Sequence, residues 1–198
     1  ISDDSRIIVY YGKDWVSPAT RGIFTLDHIG LGERTSLLDG GMGAWKAPGH
    51  TVVTAVPAPR PGRVTRLSAR TNIVDAAFVE AHAGKAGFAV VDGRAAAFYD
   101  GVQAGTGGKK GHVPGALSIP FTELADDRLL IKDRAELERI FRAAGVKPGD
   151  VVVGYCHIGQ QATAMLFAAR LLGHDVRLYD GSFQDWSLRN KPVTTERR

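Results

Sequence analysis

The chain has 198 residues, 44% of them hydrophobic and 23% charged, and its 25 basic and 21 acidic residues give a net charge of +4. No apolar run approaches the roughly 18 residues of a membrane-spanning helix, so we expect no membrane partner. The basic residues are scattered apart from short clusters such as Lys109-Lys110, which argues against a nucleic-acid partner. The first residues show no signal peptide. We therefore expect a cytoplasmic protein, with the periplasm as the alternative because the chain begins mid-domain.

The first fifty residues predict only part of a domain. Residues 7–45 contain an apolar run, a polar loop, a helical stretch, a second apolar run, then Asp39-Gly40 and Trp45. Residues 51–72 read as a linker, because the prolines of segment 56–62 lack amide donors and disfavour helices and central strands. We expect residues 1–50 to be the C-terminal half of a domain that cannot close a core alone. Its missing half-domain is expected on absent residues or on a companion chain.

A complete unit is predicted from residue 73 to 198. The predicted helices cover residues 75–82, 134–144 and 161–172, and the predicted strands cover residues 88–92 and 151–155. A Gly-rich loop at 105–111 and a short apolar segment at 116–120 lie between the strands. Short apolar strands that alternate with helices indicate a parallel sheet covered on both faces. The pattern predicts a three-layer α/β/α domain.

An internal repeat connects the two parts of the chain. Residues 151–186 repeat the pattern of residues 7–45, so that Asp180-Gly181 corresponds to Asp39-Gly40 and Trp186 to Trp45. Both tryptophans are expected in a core. In this alignment Gly12 falls where Cys156 stands, so one copy has a nucleophile and the other lacks it.

Cys156 is the only cysteine, which excludes a disulfide within the chain and a multi-cysteine metal site. It lies where a strand ends and a helix begins, the edge at which open α/β sheets bind ligands. A helix N-terminus and a curled loop offer backbone N–H groups that stabilise an anion. The loop residues that would form this cradle are His157, Ile158, Gly159, Gln160 and Gln161. Position alone leaves a structural cysteine equally open.

Two rival chemistries use the same strand–cysteine–loop–helix unit. A cysteine-dependent phosphatase needs an arginine six positions after the cysteine, and this chain has Ala162 there. A Cys–His hydrolase would need a base, but His157 is adjacent in sequence, and nothing requires His112 or His174 to approach. Both readings are disfavoured.

The cysteine unit, the cysteine-less copy and three segments together resemble the tandem-domain rhodaneses, which include thiosulfate and 3-mercaptopyruvate sulfurtransferases. The segments are Val91-Asp-Gly-Arg94, Gly111-His-Val-Pro-Gly-Ala116 and Leu178-Tyr-Asp-Gly181. The resemblance implies rhodanese-like domains in tandem, with the catalytic one at residues 73–198. It further implies that Cys156 carries sulfur as a persulfide from a small anionic donor to a thiol or cyanide, with no cofactor and no metal. Asp92 and Arg94 would order nearby loops, and His112 would bond backbone in a turn.

The chain departs from the family in its cationic groups. Thiosulfate-type members carry cations inside the loop, where this chain has His157 and Ile158. Members of both substrate types have an arginine where this chain has Phe98, which leaves the donor open. Arg94, His157 or the lysine pair 109–110 are candidates to compensate, and Trp15 is a candidate to line the cleft between domains. The alternatives are a protein-fed persulfide carrier and a non-catalytic binding module.

Overall fold

The computed structural model describes residues 1–12, 15–65 and 67–197, which form two packed lobes. We call residues 1–50 the N lobe and residues 73–197 the C lobe. Four residues of the predicted half-domain, linker and catalytic domain lie outside the described residues: Lys13, Asp14, Arg66 and Arg198.

The N lobe is a small α/β unit. Its elements are strand β1 (Ile7–Val9), helix α1 (Ser17–His28), strand β2 (Thr35–Leu37) and helix α2 (Gly41–Lys46). The two strands pair in parallel, with Ile8 opposite Ser36. A sheet of two short strands cannot bury a core of its own. The lobe is therefore stabilised by packing against the rest of the chain.

The segment that joins the lobes is extended. Its described residues, 51–65 and 67–72, contain neither helix nor strand. Hydrogen bonds nevertheless attach it to the N lobe: the Thr65 N–H donates to Asp3 Oδ1 at 2.9 Å, and the Arg70 N–H donates to the His28 carbonyl at 2.7 Å.

The C lobe contains a five-stranded sheet in the order β3-β7-β6-β4-β5, in which every pairing is parallel. Its strands are β3 (Ile73–Val74), β4 (Phe88–Asp92), β5 (Leu117–Ser118), β6 (Val151–Tyr155) and β7 (Val176–Tyr179). Its helices are α3 (Ala76–His82), α4 (Ala96–Tyr99), α5 (Arg134–Ala143), α6 (Ala162–Leu171) and α7 (Ser182–Leu188).

Helices cover both faces of this sheet. Successive residues of a strand point to opposite faces, so Val91 packs with α5 and α6 while Val90 packs with α3 and α7. The two resulting cores give a three-layer α/β/α architecture. The predicted fold class is confirmed.

Helix ends differ slightly from the prediction. Helix α6 is one residue shorter at each end, and α5 ends at Ala143. Asp75 lies before α3 and caps it, because its Oδ1 accepts a hydrogen bond from the Phe78 N–H at 2.9 Å.

The two tryptophans of the repeat differ in burial. Trp186 is 1% exposed, and its indole N–H donates to the Pro192 carbonyl. The prediction that Trp45 lies in a core is wrong, since it is 39% exposed and contacts His50. Trp186 has α3 and a broad sheet to pack against, whereas Trp45 belongs to a lobe with two short strands.

The lobes meet where α1 packs against α6. Tyr11, Val16 and Ala19 of the N lobe form one apolar cluster with Phe121 and Ala164 of the C lobe. The C lobe thus supplies part of the N lobe's core. Polar contacts reinforce the interface: the Thr20 and Thr163 hydroxyls lie 3.0 Å apart, and Asp27 forms an ion pair with Arg170 at 2.7 Å.

Candidate active site

Cys156 immediately follows β6 at the carboxyl edge of the parallel sheet, and its side chain is fully buried. Its N–H donates to the Ser182 Oγ at 3.1 Å, and its carbonyl accepts from the Phe183 N–H at 3.0 Å. The cysteine backbone is therefore held on both sides by the start of α7. Such fixed geometry suits a nucleophile that must keep one orientation.

The loop of residues 156–161 curls between β6 and α6. Gly159 has φ +87°, a conformation that favours glycine. Among the residues that the structure describes, the backbone N–H groups of 157–161 donate no hydrogen bond to the protein. Together with the N-terminus of α6 they are available to an anion.

Asp92 and Arg94 form a fully buried ion pair at the end of β4. The Arg94 Nη2 lies 2.6 Å from the Asp92 Oδ2, and its Nε donates to the same carboxylate at 2.9 and 3.0 Å. Burial acts to lower the pKa of Arg94, but the hydrogen bonds and charge of Asp92 outweigh it and raise that pKa. The guanidinium therefore stays charged inside the protein.

Arg94 also contacts two loops that flank the site. Its Nη2 donates to the Gly111 carbonyl at 2.8 Å, and its Cζ lies 3.8 Å from the centre of the Phe183 ring. Its Nη1 is buried without a hydrogen-bond partner among the described residues. A β-carbon on Gly105 would lie 2.6 Å from this nitrogen, so only glycine fits beside it.

His157 contacts Phe98 and the Gly-rich loop. The His157 and Phe98 rings meet edge-on with centroids 4.5 Å apart, and the His157 Nδ1 lies 3.1 Å from the Thr106 Oγ1. Burial, and then the charge of Arg94, lower the pKa of His157. Since an ordinary histidine has a pKa of about 6.5, a lowered pKa favours the neutral imidazole at pH 7, and His157 does not replace a loop cation.

The two other candidate histidines, His112 and His174, are held by backbone carbonyl groups. The His112 Nδ1 lies 2.8 Å from the Tyr99 carbonyl oxygen, and the two rings stack. The His174 Nδ1 lies 2.9 Å from the Asp150 carbonyl oxygen. No histidine of the described part hydrogen-bonds the Cys156 Sγ. The described residues therefore contain no preformed Cys–His pair.

The remaining predicted residues are Ile158, which belongs to the loop, and Lys109, Lys110 and Trp15, whose contacts or exposure lie elsewhere. The Lys109 Nζ donates to the Lys191 carbonyl at 2.6 Å, and Lys110 is exposed. Trp15 stacks on Phe121 with centroids 5.1 Å apart. Ile158 is 56% exposed, so the loop presents an apolar side chain to solvent.

Two residues that contact the site, Arg21 and Tyr155, were not predicted from the sequence. Arg21 of α1 donates to the Gly159 carbonyl at 3.3 Å; only the docking of the lobes brings it there. Tyr155 precedes Cys156, and its hydroxyl accepts from the Val113 N–H at 3.1 Å. Burial, and then the charge of Asp92, raise the pKa of Tyr155 well above its usual value, so it stays protonated.

Neither a cluster of metal ligands nor a long apolar helix occurs in the described residues. Within 1–12, 15–65 and 67–197, no group of three or more His, Cys, Asp or Glu side chains is placed to hold a metal ion. In the same ranges no helix has both the length and the hydropathy needed to traverse a bilayer.

Residues 75–189 match the family model of the rhodanese-like domain. The chain belongs to this family. It is 31% identical over 198 residues to the "Probable 3-mercaptopyruvate sulfurtransferase" of Pseudomonas aeruginosa, covering 98% of this chain and 69% of that protein. It is 30% identical over 199 residues to the "Thiosulfate sulfurtransferase" of Gallus gallus, covering 97% of this chain and 67% of that protein.

Solved structures with the same fold are longer than this chain. The wild-type structure of EanB superposes with a TM-score of 0.83 at 22% identity, covering 98% of this chain and 51% of that one. The anaerobic ergothioneine biosynthesis enzyme from Chlorobium limicola gives a TM-score of 0.82 at 20% identity, with coverages of 98% and 52%. The chain therefore spans about half the length of these structures, and the likeness concerns the fold alone.

Proposed function

We propose that this chain is a sulfurtransferase that carries sulfur as a persulfide on Cys156. The observation that carries the proposal is the position of Cys156 at the start of a loop whose N–H groups at 157–161 have no protein acceptor among the described residues. A persulfide anion bound there would accept hydrogen bonds from the loop backbone, which stabilises charge without a cofactor. The names of the related sulfurtransferases support sulfur transfer as the reaction.

In the proposed first half-reaction, the Cys156 thiolate attacks the sulfur of the donor. With thiosulfate, a new S–S bond forms to Cys156, the bond between the two thiosulfate sulfurs breaks, and sulfite leaves with the electron pair. With 3-mercaptopyruvate, the C–S bond breaks instead. Its electron pair passes to carbon, which takes up the proton of the donor thiol, and pyruvate leaves.

In the second half-reaction, an acceptor attacks the outer sulfur of the persulfide. Cyanide then leaves as thiocyanate, and a thiolate leaves as its own persulfide. In either case the electron pair of the broken S–S bond returns to Cys156 as thiolate. The nucleophile is regenerated, so the balance requires no oxidant, reductant or metal.

Charge in the site favours 3-mercaptopyruvate over thiosulfate as donor. Arg94 is a buried cation whose Nη1 has no hydrogen-bond partner among the described residues, but Asp92 neutralises much of its charge. His157 contributes no charge at neutral pH, because its pKa is lowered by burial and then by Arg94. A dianion needs more compensating charge than a monocarboxylate. We therefore expect the monoanionic donor to load Cys156 faster.

The exposed Ile158 favours a second candidate. An apolar side chain in the loop itself, 56% exposed, could contact a protein that delivers the sulfur. In that case the chain would act as a protein-fed persulfide carrier, and neither small donor would load it.

The test is the intact mass of the protein after incubation with 3-mercaptopyruvate and, separately, with thiosulfate. We expect a gain of one sulfur that is absent in Cys156→Ser and is reversed by cyanide. If the folded protein gains no sulfur from either donor, the small-donor sulfurtransferase is wrong, and the carrier or a non-catalytic binding module takes its place.

A further inference from the structure

Arg21 connects the N lobe to the loop that bears Cys156. It lies on α1, and its Nη1 donates to the Gly159 carbonyl at 3.3 Å and to the Asp180 Oδ1 at 2.5 Å. Asp180 directly follows β7, at the carboxyl edge of the sheet that also positions Cys156. One guanidinium nitrogen therefore joins three elements that are distant in sequence.

The three groups are packed without spare room. A β-carbon on Gly159 would come within 2.7 Å of the Asp180 Oδ1 and 3.1 Å of the Arg21 Nη1. The Gly159 backbone thus lies directly against the ion pair. Because Asp180 balances the charge of Arg21, the guanidinium adds little net positive charge and acts mainly through the direction of its hydrogen bonds.

Helix α1 also contacts the end of the loop. The Thr20 hydroxyl lies 3.0 Å from the Thr163 hydroxyl, and the Thr163 hydroxyl donates to the Gln160 carbonyl at 2.6 Å. Neighbouring residues of α1 therefore hold the carbonyls of both Gly159 and Gln160, one directly and one through Thr163.

Peptide planarity converts these contacts into an orientation. The Gly159 carbonyl and the Gln160 N–H belong to one planar peptide unit and point in opposite directions. An Arg21 that holds the carbonyl toward the lobe interface turns the Gln160 N–H away from that interface. This N–H is one of the loop donors with no acceptor in the described protein.

We propose that Arg21 is a positioning residue: with Asp180 it fixes the Gly159–Gln160 peptide so that the Gln160 N–H is directed at sulfur on Cys156. The inference rests on the proposed sulfur transfer and adds that the cysteine-less N lobe takes part in it. Arg21 touches neither donor nor acceptor. Its effect belongs to the step in which charge develops on sulfur.

The test compares steady-state kinetics of Arg21→Ala, Arg21→Lys and wild type with the donor that loads Cys156. Removal of one hydrogen-bond donor that stabilises the transition state typically lowers turnover about 100-fold. We expect a loss of about tenfold here, because the Gln160 N–H remains but is misdirected. KM should stay within about twofold, since the interaction is made in the transition state. Arg21→Lys should recover part of the loss.

Arg170→Gln is the matched control. It removes another cation of the α1–α6 interface, the partner of Asp27, which has no hydrogen bond to residues 156–161 among the described residues. We expect it to lower stability while kcat stays at the wild-type value. The double variant Arg21→Ala/Asp180→Asn should lose no more turnover than Arg21→Ala, because the two side chains act as a unit.

Four results would overturn the inference, the first three of them without touching the proposed function. If kcat is unchanged in Arg21→Ala, Arg21 has no positioning role. The proposed function still stands in that case, provided that wild type gains sulfur. A rise in KM alone makes Arg21 a donor-binding residue. If Arg21→Ala and Arg170→Gln lose kcat equally, the loss in Arg21→Ala comes from lower stability of the interface between the lobes. If wild type gains no sulfur, the proposed function fails and this inference falls with it.

Discussion

Gly159 lies so close to Asp180 that a β-carbon there would come within 2.7 Å of the Asp180 Oδ1 and 2.8 Å of its carbonyl oxygen. We predict that Gly159→Ala displaces the loop, in addition to a strain of about 1–2 kcal/mol for alanine at positive φ. Sulfur loading on Cys156, followed by intact mass, should slow at least about tenfold, the equivalent of about 1.4 kcal/mol.

Gly173→Ala provides the matched control for this substitution. Gly173 also has positive φ, but a β-carbon there meets no atom of the described residues within 4 Å. It should therefore cost comparable strain while leaving the loading rate unchanged. Loading of Gly159→Ala at the wild-type rate would contradict the packing argument.

The buried pair of Asp92 and Arg94 predicts a large loss of stability in Arg94→Gln. The substitution leaves the Asp92 carboxylate buried without its cation, which costs about 3–5 kcal/mol in comparable cases. Urea unfolding measures this change. Arg197→Gln, which breaks an exposed pair with Asp100, should change the unfolding free energy far less. Similar losses in the two variants would be inconsistent with burial as the cause.

The lowered pKa of His157 predicts a pH-dependent stability. Burial, and then the charge of Arg94, hold the folded-state pKa below the unfolded value. As pH falls below about 6.5, the unfolded chain binds a proton that the folded protein does not, so stability falls until the pH passes the folded pKa. His157→Gln removes this contribution. We expect wild type to lose more unfolding free energy than the variant between about pH 7.5 and 5.5 in urea titrations; parallel losses would refute the assignment.

Asp27 is expected to stabilise the interface between the two lobes. Its side chain is almost fully buried, forms an ion pair with Arg170 at 2.7 Å, and accepts a hydrogen bond from the Asn72 Nδ2 at 3.3 Å. Asp27→Asn weakens hydrogen bonds to a charged group, so we expect a loss of about 1.5–3 kcal/mol in urea unfolding. Trypsin should also cut the described linker residues 51–65 sooner. Asp175→Asn, at an exposed ion pair of 3.7 Å, should show neither effect.

The parts of the fold that follow from local pattern were predictable. Strands β4 and β6 have the predicted bounds, because runs of β-branched residues between turns specify buried parallel strands. The Asp92–Arg94 pair could also be predicted from the sequence, since its members are two residues apart at the end of a strand. Helix ends were less certain, because capping at Asp75 decides whether that residue counts as helical.

Features that depend on the docking of distant elements were not predictable. Arg21 and Asp180 are 159 positions apart, and neither the repeat nor the motifs state that α1 packs on α6. Trp45 was wrongly placed in a core because the repeat implies equal surroundings, while the two sheets differ in size. The edge-on contact of Phe98 with His157 likewise requires the folded path of α4.

The small β1–β2 sheet has a consequence for how the protein behaves on heating. Its two strands have three residues each, and the side chain of Ile8 is largely exposed. A sheet of this size melts locally well before a five-stranded one. The freed strand edges would then pair between molecules, so thermal inactivation should be irreversible and should accelerate with protein concentration.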